Sequence, residues 1–528
     1  MNKNFLTGLL PAVILFLILL IIVRYCQYSA NREIDVNDHK WDKLLLILEQ
    51  IDKNYVDTVD YETVIENTLP ALMENLDPHS VYLPPQVLKS ADESLEGNFS
   101  GIGIEFNLPD DTVTVINIVP GGPSEKAGLL SGDRIVTVDG VNIAGVKMNQ
   151  DSIVRRLKGP QGSVVDIEVK RDNLEELLQF SITRDRIPVN SLDVALMLND
   201  SIGYMKLSKF AKTSYEEFAE AAEKLRSEGL KTLIFDLRDN AGGYLDQALL
   251  LANEFLGKGD LIVYMEGLHR ARSDFHADGK GSLQDVKLYV ILNEGSASSS
   301  EVFAGAIQDN DRGTIVGRRS YGKGLVQEPI YFTDKSGIRL TVARFYTPTG
   351  RSIQKPYSEN YRYDILERYE HGEMMDADSI RVNDSLKYVT PKGKIVYGGG
   401  GIIPDIFVPI DTVGVTDYLI AVNRKSLQIK YSAVLADRYR QKLRGVENMA
   451  DLQNIISGMN IGEDFKKYAA RNGVALPGDG EWKKSENIIV TQIEGLFGRY
   501  SALDDIAFYS YLLKIDNVID AIMKDNAK

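Results

Sequence analysis

Two apolar segments of the chain each lead directly into a turn of small residues and then into a helical pattern. Residues 231–237 precede a turn that contains two glycines, at 238–244, and residues 287–293 precede a run of serines. A short apolar run bounded by turn residues is typical of a buried strand, and apolar residues at helical spacing follow each turn. Two such units predict a parallel sheet with both turns at one edge, where open α/β sheets bind ligands.

The serine run contains Ser298, and Lys323 follows it by 25 residues, between Gly322 and Gly324. A serine hydroxyl is a weak nucleophile until a neighbouring group takes its proton, and the usual partner is histidine. None of the five histidines lies in either motif. A lysine can take the proton if burial and nearby positive charge lower the pKa of its ammonium group toward neutrality. The pair therefore predicts a serine nucleophile with a lysine base.

The helical pattern after the serines places them at the positive end of a helix, where backbone N–H groups can stabilise an oxyanion. We expect an oxyanion hole formed by the N–H of Gly242 or Gly243 together with that of Ser299. Each motif alone has a simpler interpretation. A serine run is typical of a flexible loop or a helix N-cap, and a Gly-Gly pair is typical of an ordinary turn.

Four segments that carry these residues, in this order and spacing, resemble the signatures of one enzyme family, the C-terminal processing peptidases or tail-specific proteases. The segments are residues 236–243, 295–301, 322–327 and 347–354. The resemblance covers about residues 40–410. It implies a serine-type endopeptidase that cuts protein substrates near their C-termini through an acyl-enzyme.

The resemblance also implies a role for individual side chains. Ser298 corresponds to the family's nucleophile, Lys323 to its base, and Gln327, four positions later, to the residue that orients the lysine amine. Ser299 stands where the family often has alanine, and only its backbone N–H is required. We expect Ser298→Ala and Lys323→Ala to be inactive. A histidine-dependent hydrolase would instead lose activity when His79, His269 or His276 is replaced, and we expect these three changes to be tolerated.

A second resemblance lies upstream. Residues 100–106, 112–118, 121–128 and 132–140 resemble a bacterial PDZ domain. Such a domain takes an extended peptide as an added strand and captures its terminal carboxylate with backbone N–H groups. The resemblance implies capture of a substrate tail by four loop residues: Gly101, Ile102, Gly103 and Ile104. A glycine-rich loop by itself more often forms a hairpin turn.

The N-terminus indicates a location for the enzyme. Residues 5–23 are uncharged and would measure about 28 Å as a helix, close to the roughly 30 Å of a bilayer core. We expect an uncleaved single-pass anchor in the cell inner membrane, and a cleaved signal peptide is the competing interpretation. The family resemblance implies that the catalytic part faces the periplasm or another extracytoplasmic space.

The complete expectation is a multidomain α/β protein. It has a membrane anchor (1–24), an N-terminal helical segment (34–96), a β-rich PDZ domain (97–184), an α/β serine protease core with a crotonase-like sheet (185–412) and a helical C-terminal extension (413–528). The family resemblance implies that the N-terminal helices contribute to a possible homodimer, and a simple packing layer is the alternative interpretation. The extension has no assigned role.

Composition and residue spacing argue against several other kinds of partner and site. The formal net charge of −15, without a basic patch, argues against nucleic acid as a partner. The histidines and carboxylates lack metal-ligand spacing such as His-Glu-x-x-His, so neither a metal nor a cofactor is expected. Cys26 is the only cysteine, which excludes a disulfide within the chain. The alternatives are a catalytically silent PDZ scaffold that binds protein C-termini and, less favoured, crotonase-like acyl-thioester chemistry.

Overall fold

The computed structural model describes residues 18–21, 42–171, 174–358 and 360–528. The described chain divides into two compact units, Met1–Leu72 and Met73–Lys528. In the first unit lie helix α1 (Asp42–Asn54) and most of helix α2 (Tyr61–Glu74). The helical patterns predicted for this segment are confirmed. None of the side chains of α1 is buried.

The prediction of a single-pass inner-membrane anchor is contradicted. Among the residues that the structure describes, no helix is both long enough and apolar enough to cross a bilayer. Of the predicted span 5–23, only residues 18–21 are described. A spanning segment needs about 20 apolar residues in one continuous helix, and the hydropathy of a sequence does not establish that continuity.

The second unit opens with strand β1 (Val81–Leu83), helix α3 (Pro85–Leu95) and strand β2 (Asn98–Gly101). The predicted PDZ module follows. Its elements are β3 (Ile104–Asn107), β4 (Val113–Ile118), α4 (Pro123–Ala127), β5 (Arg134–Val138), β6 (Val141–Asn142), α5 (Gln150–Leu157), β7 (Val164–Lys170) and β8 (Leu178–Thr183). The strands form an antiparallel sheet in the order β3-β4-β5-β7-β8, with β6 paired to β5. Alternate residues of β7 are buried, as one covered sheet face requires.

The core region follows β9 (Asp185–Pro188), which pairs with β2. Its elements are β10 (Leu192–Met197), β11 (Ile202–Leu207), α6 (Ser214–Ser227), β12 (Thr232–Asp236), α7 (Leu245–Asn253), β13 (Leu261–Gly267), β14 (Arg270–His276), β15 (Lys287–Leu292), α8 (Ser299–Asp309), β16 (Thr314–Gly317), β17 (Leu325–Tyr331), β18 (Gly337–Tyr346), α9 (Asp364–Glu370), β19 (Lys387–Val389), β20 (Ile395–Tyr397) and β21 (Ile406–Phe407). Short 3-10 helices lie at Pro109–Asp111, Tyr361–Tyr363, Ala377–Ser379, Asp384–Leu386 and Leu513–Ile515.

The central sheet has the order β10-β11-β12-β15-β16-β21 and is parallel from β11 onward. The two strands predicted from the sequence are β12 and β15, which are direct neighbours. Every residue of β12 is buried, as expected for a parallel strand covered on both faces. A second sheet has the order β1-β18-β13-β14, with β17 also paired to β18. The turns that follow β12 and β15 therefore meet at one sheet edge, as predicted.

The C-terminal extension is helical, as predicted. Its helices are α10 (Asp417–Arg424), α11 (Leu427–Leu443), α12 (Met449–Ser457), α13 (Ile461–Arg471), α14 (Asp479–Gly498), α15 (Asp504–Leu512) and α16 (Asn517–Asn526). Apolar residues of α16, such as Val518 and Ile522, pack with Ile234 and Tyr289 of the central sheet. The opposite sheet face packs against α6, α7 and α8. The extension thus covers one face of the central sheet.

The extension also contacts the PDZ module. Arg499 makes an ion pair with Glu105 of β3 at 3.0 Å, and Asn117 donates a hydrogen bond to Asp504 at 2.6 Å. Gly132, with φ +85°, lies against the guanidinium group of Arg440, where a Cβ atom would be 2.2 Å from Nη2. A side chain at this glycine would displace the end of the Arg440 side chain, so the two surfaces are closely fitted at this point.

Candidate active site

Ser298 occupies a strained position between β15 and α8. Its backbone φ is +56° and ψ is −114°, a combination that a non-glycine residue rarely adopts. It immediately precedes Ser299, the first residue of α8. The Ser298 side chain is therefore presented at the N-terminus of a buried helix, where the partial positive charge favours an anion.

The two predicted turns are in direct contact. A Cβ atom placed on Gly242, which has φ +100°, would lie 2.8 Å from the Ser298 Cβ and 2.9 Å from the Ser299 nitrogen. Ser299 Oγ donates a hydrogen bond to the Gly243 carbonyl at 2.9 Å. The structure therefore brings all four residues together, and a glycine is required for this approach.

Of the three backbone N–H groups predicted to bind the oxyanion, one already donates a hydrogen bond within the protein. The Gly242 N–H already donates to Asn240 Oδ1 at 2.9 Å. Within the described part of the chain, no acceptor bonds the N–H of Gly243 or of Ser299. Two free backbone N–H groups thus lie beside Ser298, contributed by different turns.

A buried carboxylate connects the serine turn to the lysine turn. Glu301 is fully buried and its Oε2 accepts the N–H of Ser298 at 2.9 Å and the N–H of Lys323 at 2.8 Å. Its Oε1 accepts the N–H of Gly322 at 2.7 Å and the hydroxyl of Ser320. Burial raises the pKa of Glu301, and the four donors oppose that rise. Glu301 therefore sets the position of both turns.

The Lys323 side chain is largely withdrawn from solvent. Burial lowers the pKa of Lys323, the positive charge of Arg339 lowers it further, and Glu301 and Asp77 act in the opposite direction. Its ammonium group donates to Gln327 Oε1 at 2.7 Å. Among the described residues, no hydrogen bond joins Lys323 to Ser298. The structure therefore places the lysine next to Gln327, with its pKa shifted toward that of a usable base.

Gln327 connects the lysine to His79 and Tyr361, neither of which was predicted to belong to the site. Its Nε2 donates to the backbone carbonyl of His79 at 2.6 Å. The His79 ring nitrogen Nε2 lies 2.6 Å from the hydroxyl of Tyr361. Burial, with the nearby charge of Lys323, lowers the pKa of His79 to about 4. The expectation that His79 is replaceable stays a prediction: Gln327 bonds its backbone carbonyl, which any residue would supply, and only the contact of the ring with Tyr361 depends on the side chain.

Two local sequence patterns indicate Glu301 and the turn at Asp77, which were not predicted as parts of the site. Ser298 and Glu301 have the spacing of a capping box, in which the glutamate accepts the N–H of the N-cap residue. Asp77 accepts the N–H of His79 at 2.8 Å and that of Ser80 at 2.7 Å, as an aspartate does in an Asx turn. No local signal identifies Tyr361, because it reaches His79 only through the tertiary fold.

The predicted tail-binding residues span the junction of two strands: Gly101 ends β2, where it pairs with Asp185 of β9, and Ile104 begins β3, with Ile102 and Gly103 between them. The Ile102 carbonyl accepts the N–H of Ser124 at 3.0 Å and its hydroxyl at 2.7 Å, and Gly103 has φ +75°. Strand β3 begins at Ile104 and is the terminal strand of its sheet. One edge of β3 is therefore available for an added strand. In the described residues, no group of histidines, cysteines and carboxylates could hold a metal ion.

Comparisons with known proteins match both modules. The family described as Peptidase family S41 matches residues 201–361, and the PDZ domain family matches residues 100–182. The carboxy-terminal-processing protease of Bartonella bacilliformis is 36% identical over 338 residues, which are 60% of this chain and 76% of that protein. The carboxy-terminal processing protease CtpA of Bacillus subtilis is 30% identical over 354 residues, 67% of this chain and 75% of that protein.

Solved structures were also compared. A photosystem II D1 C-terminal processing protease is 26% identical, and the match covers 71% of this chain and 89% of that one with a TM-score of 0.36.

We predict that Glu301→Gln weakens the fold. The substitution replaces one acceptor oxygen with an NH2 group that faces two N–H or O–H donors, and each unsatisfied buried donor costs about 1–3 kcal/mol. We expect the free energy of unfolding in urea to fall by about 2–5 kcal/mol. The control is Glu328→Gln, which breaks an exposed ion pair with Arg270 and should change stability by less than about 1 kcal/mol. Equal effects of the two substitutions would refute the role of Glu301.

Proposed function

We propose that this chain, which belongs to the family of carboxy-terminal processing proteases and is therefore a serine-type peptidase, cleaves protein substrates near their C-termini with Ser298 as nucleophile and Lys323 as base. The observation that carries the proposal is the contact of one buried carboxylate, that of Glu301, with the backbone of both residues. Chain segments that are distant in sequence are thereby fixed beside each other at the ligand-binding edge of the sheet.

The reaction proceeds through an ester. Neutral Lys323 takes the proton of the Ser298 hydroxyl as the oxygen attacks the scissile carbonyl, and the protonated lysine then gives the proton to the leaving amine. The free N–H groups of Gly243 and Ser299 stabilise the negative oxygen of the tetrahedral intermediate. A water molecule, deprotonated by Lys323, hydrolyses the acyl-enzyme and releases the carboxylic acid product.

The Lys323 side chain must move toward Ser298 before the proton can be transferred. Lys323 bonds Gln327 in the structure, and the proton transfer requires its nitrogen within about 3 Å of the Ser298 oxygen. Catalytic hydrogen bonds often shorten only when substrate is bound. In this proposal the flexible lysine side chain rotates toward Ser298 while Glu301 holds the backbone of Lys323 in place.

The PDZ module supplies the specificity for chain ends in this proposal. The loop Gly101–Ile104 binds the terminal carboxylate of the substrate, and the free edge of β3 pairs with the residues before it. Support comes from the position of β3 at the end of its sheet and from the match of residues 100–182 to PDZ domains.

We predict that Ser298→Ala and Lys323→Ala each lower kcat/KM for a tailed protein by about 10⁴-fold or more, and that the double variant is no worse, because the two residues act as one unit. Product formation is measured by mass spectrometry on folded protein. The controls are Ser227→Ala and Lys335→Ala, which replace exposed residues. A single variant with activity near that of the controls would refute the dyad. Tail binding by a protein that cleaves nothing would favour a PDZ scaffold instead.

The pH profile gives a separate prediction. Lys323 must be neutral to act, so kcat/KM should rise with pH through the lowered pKa of Lys323 and then level off. Arg339→Gln removes a positive charge that lowers this pKa, so the acid limb should move to higher pH. Arg344→Gln, at an exposed position in the same strand, is the control. An activity optimum below about pH 5 is incompatible with a lysine base.

Tail recognition is tested by amidation of the substrate terminus. The amide lacks the charge that the N–H groups of Gly101–Ile104 would bind, and a charge-assisted hydrogen bond contributes about 1.5–3 kcal/mol. We expect the affinity of a peptide for the Ser298→Ala variant, measured by calorimetry, to fall about tenfold to a hundredfold on amidation. Equal binding of the acid and the amide would show that the loop does not read the carboxylate.

A further inference from the structure

Hydrogen bonds around Lys323 form a closed ring. Lys323 donates to Gln327 at 2.7 Å, and Gln327 donates to the His79 carbonyl at 2.6 Å. The His79 ring bonds the Tyr361 hydroxyl at 2.6 Å, and Gln354 donates to the same hydroxyl at 3.0 Å. The other end of the Gln354 amide accepts the N–H of Gly324, the residue after the lysine, at 3.0 Å. The ring thus begins and ends at adjacent residues of one turn.

The His79 carbonyl determines which end of the Gln327 amide meets the lysine. A carbonyl oxygen only accepts hydrogen bonds, so it selects the NH2 group of the amide. The amide oxygen then points to Lys323, whose ammonium group can only donate when it is charged. If the amide were reversed, two donors would face each other. Gln327 is therefore oriented by the backbone of His79.

The position of that carbonyl is fixed from two directions. Asp77 accepts the N–H groups of His79 and Ser80, and Ser80 Oγ in turn lies 3.2 Å from Thr341 of β18. On the other side, the His79 ring is bound to Tyr361. The Tyr361 hydroxyl therefore meets two groups at once, the Nε2 atom of the His79 ring and the Gln354 amide, which donates to it. The aromatic rings of His79 and Tyr361 also meet edge to face at 5.4 Å.

We propose that His79 and Tyr361 are positioning residues of the catalytic site: together they hold the Gln327 amide so that its oxygen orients the Lys323 amine. This inference rests on the proposed role of Lys323 as the base. Neither side chain touches the reacting atoms. Both act through Gln327, and the turn formed by residues 77–80 thereby becomes part of the active site, although it precedes the PDZ module in the sequence.

The groups around Lys323 determine how its pKa would change if the ring of hydrogen bonds were broken. The charged and titratable groups that face it are Arg339 from β18, Glu301 from α8, and Asp77 and His79 from the turn before β1. Loss of the ring would let Lys323 move toward water, which relieves the burial that lowers its pKa. The acid limb of kcat/KM would then move to higher pH.

The test is the pH profile of Tyr361→Phe. This substitution removes the hydroxyl and retains the ring, over which the ammonium group of Lys355 lies at 4.4 Å. We expect kcat to fall about tenfold with KM changed less than about twofold, and the acid limb to shift upward by at least about half a pH unit. His79→Phe should behave in the same way. His79→Gln, whose amide can still bond the Tyr361 hydroxyl, should restore most of kcat and the original limb.

The control is His276→Phe, at an exposed position of β14. A purely structural role of His79 or Tyr361 would lower the amount of active enzyme without moving the acid limb of the pH profile. The folded fraction of each variant is therefore measured as well. An unmoved limb and an unchanged kcat in Tyr361→Phe would overturn the inference. Activity in both Tyr361→Phe and Lys323→Ala would refute the proposed function itself. An inactive Lys323→Ala together with an unaffected Tyr361→Phe would refute only the positioning role of Tyr361.

Discussion

The arrangement of this site depends on one buried carboxylate. Glu301 lies in the first turn of α8 and accepts hydrogen bonds from donors in two turns that are separated by the whole of that helix and by β16. A buried carboxylate without partners would be costly, and four donors meet this one. The strained backbone of Ser298 and the close packing of Gly322 against Lys355 are both compatible with that anchor. A backbone hydrogen bond from Tyr321 N–H to the Ser296 carbonyl, at 2.9 Å, joins the same two turns, and Glu301 adds the side-chain contacts that reach Ser298 and Lys323 themselves.

The rest of the chain supports this sheet edge from outside. Asp236, at the end of β12, is fully buried and pairs with Arg238, which also bonds Asp516 of the C-terminal extension at 2.7 Å. Charge from Arg238 and Lys206 outweighs burial and holds the pKa of Asp236 low, at about 2. The extension therefore contacts both the turn that carries Gly242 and Gly243 and, through Arg499, strand β3 of the PDZ module. It joins the two modules structurally.

The sequence predicted much of the fold because its signals are local. Strands β12 and β15 follow from short apolar runs, and the meeting of their turns follows from the geometry of parallel sheets. Ser298, Lys323 and Gln327 came from spacing and from a family resemblance. The roles of His79 and Tyr361 could not be predicted, since residues 79 and 361 meet only after the chain has passed through two modules. The buried pair of Arg351 and Asp309, at 2.7 Å, is non-local for the same reason. The predicted anchor lies mostly outside the described residues, and among those that are described no helix is long and apolar enough to cross a bilayer.

The most direct test of the account is to trap the acyl-enzyme. A tailed substrate is mixed with the enzyme, the reaction is quenched with acid within one turnover, and the protein is digested and mapped by mass spectrometry. If Ser298 is the nucleophile, the mass of the N-terminal substrate fragment is added to the peptide that contains Ser298, and the adduct is absent from Ser298→Ala. An adduct on another residue, or cleavage with wild-type efficiency by Ser298→Ala, would contradict it.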